Sequence, residues 1–120
     1  MKIRKSVISG HTAMASDTSG ILDISDFDTV ERITVYTKYS GVGGGQDGTI
    51  KIYLSDETSD NIANGKVLSD TITTSSASNL TDCTATVISA GCDTVQVVYT
   101  ANANTGTGTL EVHAIVEYQG

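Results

Sequence analysis

Val30-Glu31-Arg32-Ile33-Thr34-Val35-Tyr36-Thr37-Lys38-Tyr39 runs into Ser40-Gly41-Val42-Gly43-Gly44-Gly45-Gln46-Asp47-Gly48 and then into Thr49-Ile50-Lys51-Ile52-Tyr53-Leu54-Ser55. In the first part Ile33, Val35, Thr37 and Tyr39 alternate with Arg32, Thr34, Tyr36 and Lys38; in the last, Ile50, Ile52 and Leu54 alternate with Lys51, Tyr53 and Ser55. Side chains of an extended strand point to opposite faces in turn, so this period of two separates a buried face from a wet one. Glycine supplies the positive backbone angles a reversal needs. Residues 28–55 are therefore expected to form one long β-hairpin, with Tyr36 and Tyr53 on the outward faces of neighbouring strands.

Working outward, 120 residues make one domain, long enough to bury roughly two thirds of its unfolded surface without a metal or disulfide. Trp and Pro are absent and aromatics are only 5%, while Thr, Ser and Gly abound, a mixture that favours many short strands and polar turns over long helices. Formal charge is −7, unevenly placed: Lys2, Arg4 and Lys5 take three of the seven basic residues, leaving four against fourteen acidic ones. Such an acidic body repels phosphate, so nucleic acid is not an expected partner. No window approaches the roughly 20 apolar residues of a membrane span. Residues 1–5 and Ala13-Met14-Ala15 superficially copy a secretion signal, but Ser, Gly and His interrupt the segment between them.

Cys83 and Cys92 are the only cysteines. If one strand separates them they lie about 25–30 Å apart along it, too far for a bridge that needs Cα atoms within about 7 Å. Two unpaired thiols suit a reducing compartment.

Residues 3–8 alternate poorly and read as an arm or edge strand, giving an N-terminal arm or edge segment over residues 1–20 and a β-sandwich domain over residues 21–120. Residues 21–24 form a short strand; residues 56–66 lack a period and form a surface loop with room for one helical turn. Strands are expected over residues 67–74, 84–90, 93–101, with both faces of the last covered, and over 109–118. Asp28-Thr29-Val30 and Asp93-Thr94-Val95 open strands alike, and Gly48-Thr49-Ile50-Lys51-Ile52 is echoed by Gly108-Thr109-Leu110-Glu111-Val112. Two hairpins of similar build follow. The fold class is all-β, a two-sheet β-sandwich of jelly-roll kind with seven or eight short strands, an immunoglobulin-like order being the competitor.

No residue pattern carries catalysis, so the protein is not expected to be an enzyme. Asp17, Asp23, Asp26, Asp28 and Glu31 lack the spacing of a calcium loop and read as solvated turn carboxylates. Asp56, Glu57 and Asp60 read as loop charge rather than a glycosidase pair. Gly41–Gly45 lacks the Lys-Ser/Thr of a phosphate cradle. His113 falls on the wet face of the last strand, and Cys83, His113 and an Asp would need a shared geometry to make a thiol nucleophile. No metal or cofactor is expected. Two candidate surfaces remain. Lys2, Arg4 and Lys5 on an extended arm suit an acidic neighbour, and truncation of residues 1–9 is expected to abolish that docking while leaving the fold intact. Tyr36 and Tyr53, as a ring pair, suit an oligomer interface or a sugar.

Val30 to Gly41 followed by Thr49 to Ser55 resembles the hairpin of small structural proteins of tailed bacteriophages. That resemblance implies a head decoration, or cement, protein: a sandwich that clamps a shell of major capsid protein on its exterior as a homo-oligomer, a trimer or alternatively a dimer, after assembly in the host cytoplasm. The competing expectations are a carbohydrate-binding or adhesin module and a tail or head-to-tail structural protein.

Overall fold

The structure is a computed structural model that describes residues 1–12, 16–40, 48–73, 81–89, 91–101 and 108–119, with backbone only at 40, 73, 81–83 and 89. Eight strands follow in order: β1 (Lys2–His11), β2 (Thr18–Asp23), β3 (Val30–Ser40), β4 (Thr49–Ser55), β5 (Val67–Thr73), β6 (Thr81–Ser89), β7 (Thr94–Thr100) and β8 (Thr109–Tyr118). A short 3-10 helix, Ser59–Asn64, sits between β4 and β5 and buries Ile62. All pairings are antiparallel and make two four-stranded sheets, sheet A in the order β1-β8-β3-β6 and sheet B in the order β2-β7-β4-β5. The fold is thus an all-β two-sheet sandwich with jelly-roll strand order.

The expected hairpin over residues 28–55 does not form. β3 pairs with β8 and β6 in sheet A, whereas β4 pairs with β7 and β5 in sheet B. Alternation says which face of a strand is buried and is silent about which sheet the strand joins. The connecting residues outnumber the two to five typical of a hairpin loop and are long enough to step the roughly 10 Å from one sheet to the other. The second expected hairpin, β7 with β8, is divided between the sheets in the same way. The echo between the two units instead marks partners: β3 lies beside β8 and β4 beside β7. The glycine run Gly41–Gly45 lies outside the described residues.

The core is built by the four central strands. Ile33 and Val35 of β3, Ile50 and Ile52 of β4, Val95, Val97 and Tyr99 of β7, and Leu110, Val112, Ala114 and Val116 of β8 are each at most 1% exposed. Each fully buried aliphatic of this size contributes about 1.5–3 kcal/mol relative to exposure, so the meeting inner faces dominate stability. The outer side of β7 is less covered than the sequence suggests, since Gln96 and Val98 are half-buried.

Residues 2–11 are the edge strand of sheet A rather than a loose arm. The Met1 amine donates to the Tyr118 carbonyl at 2.5 Å and the Tyr118 amide donates back to Met1 at 2.8 Å. The register with β8 shifts between Ser6 and Ile8 and again before His11, which explains the poor alternation: Ile8 is brought inward to 5% exposure after the first shift. Gly10, at φ 61°, takes the left-handed conformation beside the second. The expected domain boundary at residue 20 falls inside β2.

The two sheets meet along both flanks. At one, a Cβ placed on Gly20 of β2 would stand 1.9 Å from the Val7 carbonyl oxygen of β1, so only glycine lets the two backbones approach. At the other, the Thr86 hydroxyl of β6 donates to Asp70 Oδ2 of β5 at 2.7 Å.

Candidate interaction surface

Directly paired residues of an antiparallel ladder share a face, so the register sorts the candidate side chains. On the outer face of sheet A, one row is Lys2, Glu117 and Arg32. Arg32 Nε donates to Glu117 Oε2, and Lys2 Nζ lies 3.6 Å from Glu117 Oε1. The guanidinium hydrogen bond, and next to it the charges of Arg32 and Lys2, hold the Glu117 carboxyl below its ordinary value. The next row is Arg4, Ile115, Thr34 and Val87, and the one after it Ser6, His113, Tyr36 and Ala85. Lys5 pairs with Ala114, a core residue, and so lies on the opposite face, where its ammonium is 5.8 Å from the centre of the Phe27 ring. Lys2, Arg4 and Lys5 therefore do not form one docking patch: Lys2 is engaged by Glu117 and Lys5 guards the inner margin. Because residues 2–11 are a ladder strand carrying buried Ile8, removing residues 1–9 strips an edge from the sheet and does not leave the fold intact.

Tyr36 and Tyr53 are not neighbours; they occupy the outer faces of different sheets. Tyr36 stacks on its cross-strand partner His113, with ring centroids 5.1 Å apart and planes at 14°. Rings facing each other at the strand spacing stand upright on the sheet and turn their edges outward. Burial first, then the Arg4 charge and to a lesser degree that of Lys38, hold the His113 imidazole below its ordinary value, against an opposite pull from Glu111. Between β1 and β8, Arg4, Ser6, Ile8, Glu111 and His113 line a depression of about 150 Å³.

On sheet B the outer row is Ile21, Gln96, Tyr53 and Leu68. The Lys66 ammonium sits 4.5 Å from the centre of the Tyr53 ring and donates to Gln96 Oε1 at 3.2 Å. Ile21 and Leu68, at opposite ends of the row, are 42% and 48% exposed. Around the corner, Leu54, Ser55, Asp56, Lys66, Val67 and Cys92 line a groove of about 590 Å³. Burial, with a smaller push from the Asp93 charge, raises the Cys92 thiol, which is therefore protonated at neutral pH and a poor nucleophile. Cys92 is free; the strand premise used for the cysteines holds, since β6 is continuous over Thr81–Ser89. The Cys83 side chain lies outside the described residues.

Several carboxylates singled out above act as fasteners. Asp23 Oδ1 accepts from the Ser25 amide at 2.9 Å and hydroxyl at 2.6 Å, which lowers its pKa. Asp17 accepts from the Ala101 amide at 2.7 Å, and Glu31 from Gln119 Nε2 at 3.0 Å. Among the described residues no three His, Cys, Asp or Glu side chains gather as a metal site, and no helix is long and apolar enough to cross a membrane. The partners His113 and Lys66 were missed from the sequence because alternation assigns a face but not the residue standing next to it.

No family model matches the sequence, and no curated protein is significantly similar to it. Solved structures similar to this chain include PirA, at 14% identity over 98% of this chain and 93% of that one, with a TM-score of 0.48. A carbohydrate-binding module, the C-terminal CBM6 of LamC from Zobellia galactanivorans, matches at 8% identity over 98% and 100% of the two chains, TM-score 0.46. The cycloalternan-forming enzyme from Listeria monocytogenes matches at 19% identity and TM-score 0.43 over 82% of this chain, which spans only 8% of the length of that protein. Likeness at this level is architectural and transfers no binding or catalytic property to this jelly roll.

Proposed function

We propose that this protein is a virion structural subunit of the capsid-decoration type, adhering to the exterior of a shell of major capsid protein and to further copies of itself, without catalysis. The observation that supports it best is the placement of exposed aliphatic side chains. Ile21, Leu68 and Val87 are 42–60% exposed and stand on broad sheet faces, where a flat partner covers them and a small molecule does not. Moderate patches, on the order of 800 Å² per partner, suffice when hundreds of copies act together.

The ring geometry weighs against the carbohydrate reading. A sugar stacks on the open face of an aromatic ring, but Tyr36 and His113 turn a face to each other and Tyr53 turns one to Lys66. The test is co-sedimentation of the purified protein with capsid shells of the phage that encodes it, alongside a glycan array. Saturable binding to shells is expected. Retention on glycans with no shell binding overturns the proposal in favour of an adhesin, and a copy number of six or twelve per particle moves the protein to the tail or its connector.

A further inference from the structure

Four strands terminate the two sheets, β1 and β6 in sheet A and β2 and β5 in sheet B. An edge strand presents a row of unpaired amides and carbonyls, and folded proteins blunt such edges with charge, bulges, short length or cover. Three of the four are blunted. β1 carries Lys2, Arg4 and Lys5, points Lys5 to the inner face and has two register shifts. β2 has six residues and lies under the Val7 carbonyl at Gly20. β5 has a register shift opposite Ile52 and Tyr53 and turns Asp70 to Thr86.

Among the described residues β6 is the least blunted of the four: it is nine residues long, has no register shift, and its one charged residue, Asp82, falls at an inner-side register position opposite Tyr39 near the start of the strand. It pairs with β3 in unbroken register from Ser89 opposite Arg32 to Thr81 opposite Ser40. Residues 84–89 carry no charge. On its outer side Ala85 is exposed and Val87 is 60% exposed.

We propose that β6 is a homodimer seam: two copies pair their β6 strands antiparallel about a two-fold axis, joining their A sheets into one continuous sheet. A long unbroken edge is matched by another of the same kind, and among the four edges of this molecule β6 is the one that is both longer than six residues and free of a register shift. The outer-face positions of β3 beside β6 carry no carboxylate, Arg32 and Lys38 being the charged residues there, so in a chain of net charge −7 two copies meeting along β6 do not set acid against acid on that face. With the axis at Thr86, Val87 of each copy stands opposite Ala85 of the other, in line with that copy's Tyr36, and its exposed surface is covered. The contact uses the same patch on both copies and closes, giving a dimer, the second of the two oligomers expected from the phage resemblance.

The inference rests on the reading of this protein as a subunit that binds its own copies, and the experiment separates the two. Sedimentation velocity on the full chain across micromolar to submillimolar concentration is expected to give twice the 12.5 kDa monomer mass. Val87→Lys and Ala85→Lys, both at exposed positions, are each expected to weaken association at least tenfold with unchanged far-UV circular dichroism. Amide exchange at residues 84–88 is expected to be slow in the wild type and to quicken in both variants. A wild type that stays monomeric throughout, or an oligomer indifferent to both substitutions, overturns the seam. Shell co-sedimentation reports separately on decoration: a monomer that binds shells removes only the seam, and a dimer that ignores them removes only the capsid role.

Discussion

Thr37 offers the sharpest test of how the core is balanced. It lies on the inner face of β3, level with Val112 of β8 and Thr84 of β6, and is 0% exposed. Among the described residues its hydroxyl has no hydrogen-bond partner. A buried hydroxyl without a partner costs roughly 1–3 kcal/mol relative to water. Thr37→Val keeps the β-branched shape, removes that polar atom and adds a methyl whose transfer is worth about 0.8 kcal/mol. Allowing for imperfect repacking around the new methyl, the variant is expected to be more stable by about 1–2 kcal/mol. At this chain length that corresponds to a Tm higher by roughly 3–8 °C. Thr37→Ser supplies the opposite case: it keeps the hydroxyl, deletes a buried methyl and is expected to lose about 1–2 kcal/mol. The chain has no Trp, so urea unfolding is followed by circular dichroism, with an unchanged m-value required for the comparison. A Thr37→Val variant less stable than the wild type refutes the reasoning, because it means the hydroxyl is hydrogen-bonded in the folded protein.

Gly20→Ala is expected to cost at least about 1–3 kcal/mol by overpacking, since the atom it meets at 1.9 Å is the Val7 backbone carbonyl; Gly65→Ala, whose nearest contact is Glu57 Cγ at 3.5 Å, is the mild control in the same urea assay. The Glu117 carboxyl is expected to titrate below 4.5 by NMR and to move back up in Arg32→Gln. Because its folded pKa is depressed, the pair's contribution is full above 4.5 and drains away as pH falls through the lowered value. His113 titrates below 6.5 because burial and the Arg4 and Lys38 charges disfavour its cation, so Arg4→Gln is expected to raise its pKa and Glu111→Gln to lower it further. The folded state then loses stability as pH falls from 6.5 through the depressed value, a loss that His113→Gln removes in pH-dependent unfolding.

The candidate surface was legible only in part. Alternation placed Tyr36, Tyr53 and His113 outward correctly, because facing is a property of one strand. It paired Tyr36 with Tyr53 wrongly, because adjacency belongs to a sheet, and the true partners His113 and Lys66 are far away in sequence for one and on a loop for the other. The basic N-terminal residues looked like one feature since they are adjacent in the chain. A strand sends neighbours to opposite faces, and so Lys2 meets Glu117 while Lys5 meets Phe27.

What the amino-acid sequence determined by itself was the all-β character, the strand positions to within a few residues and the buried face of the central strands. Those follow from side-chain type and a period of two, which act locally, whereas Ile8 and Ser55 came to be buried against the alternation read from the sequence. Which strands became neighbours was decided only in three dimensions: β3 and β4 parted into separate sheets, and β3 joined β8 across most of the chain. The reason is that backbone hydrogen bonds are alike at every residue, so pairing is chosen by how two apolar faces close on each other and not by any residue that names its partner.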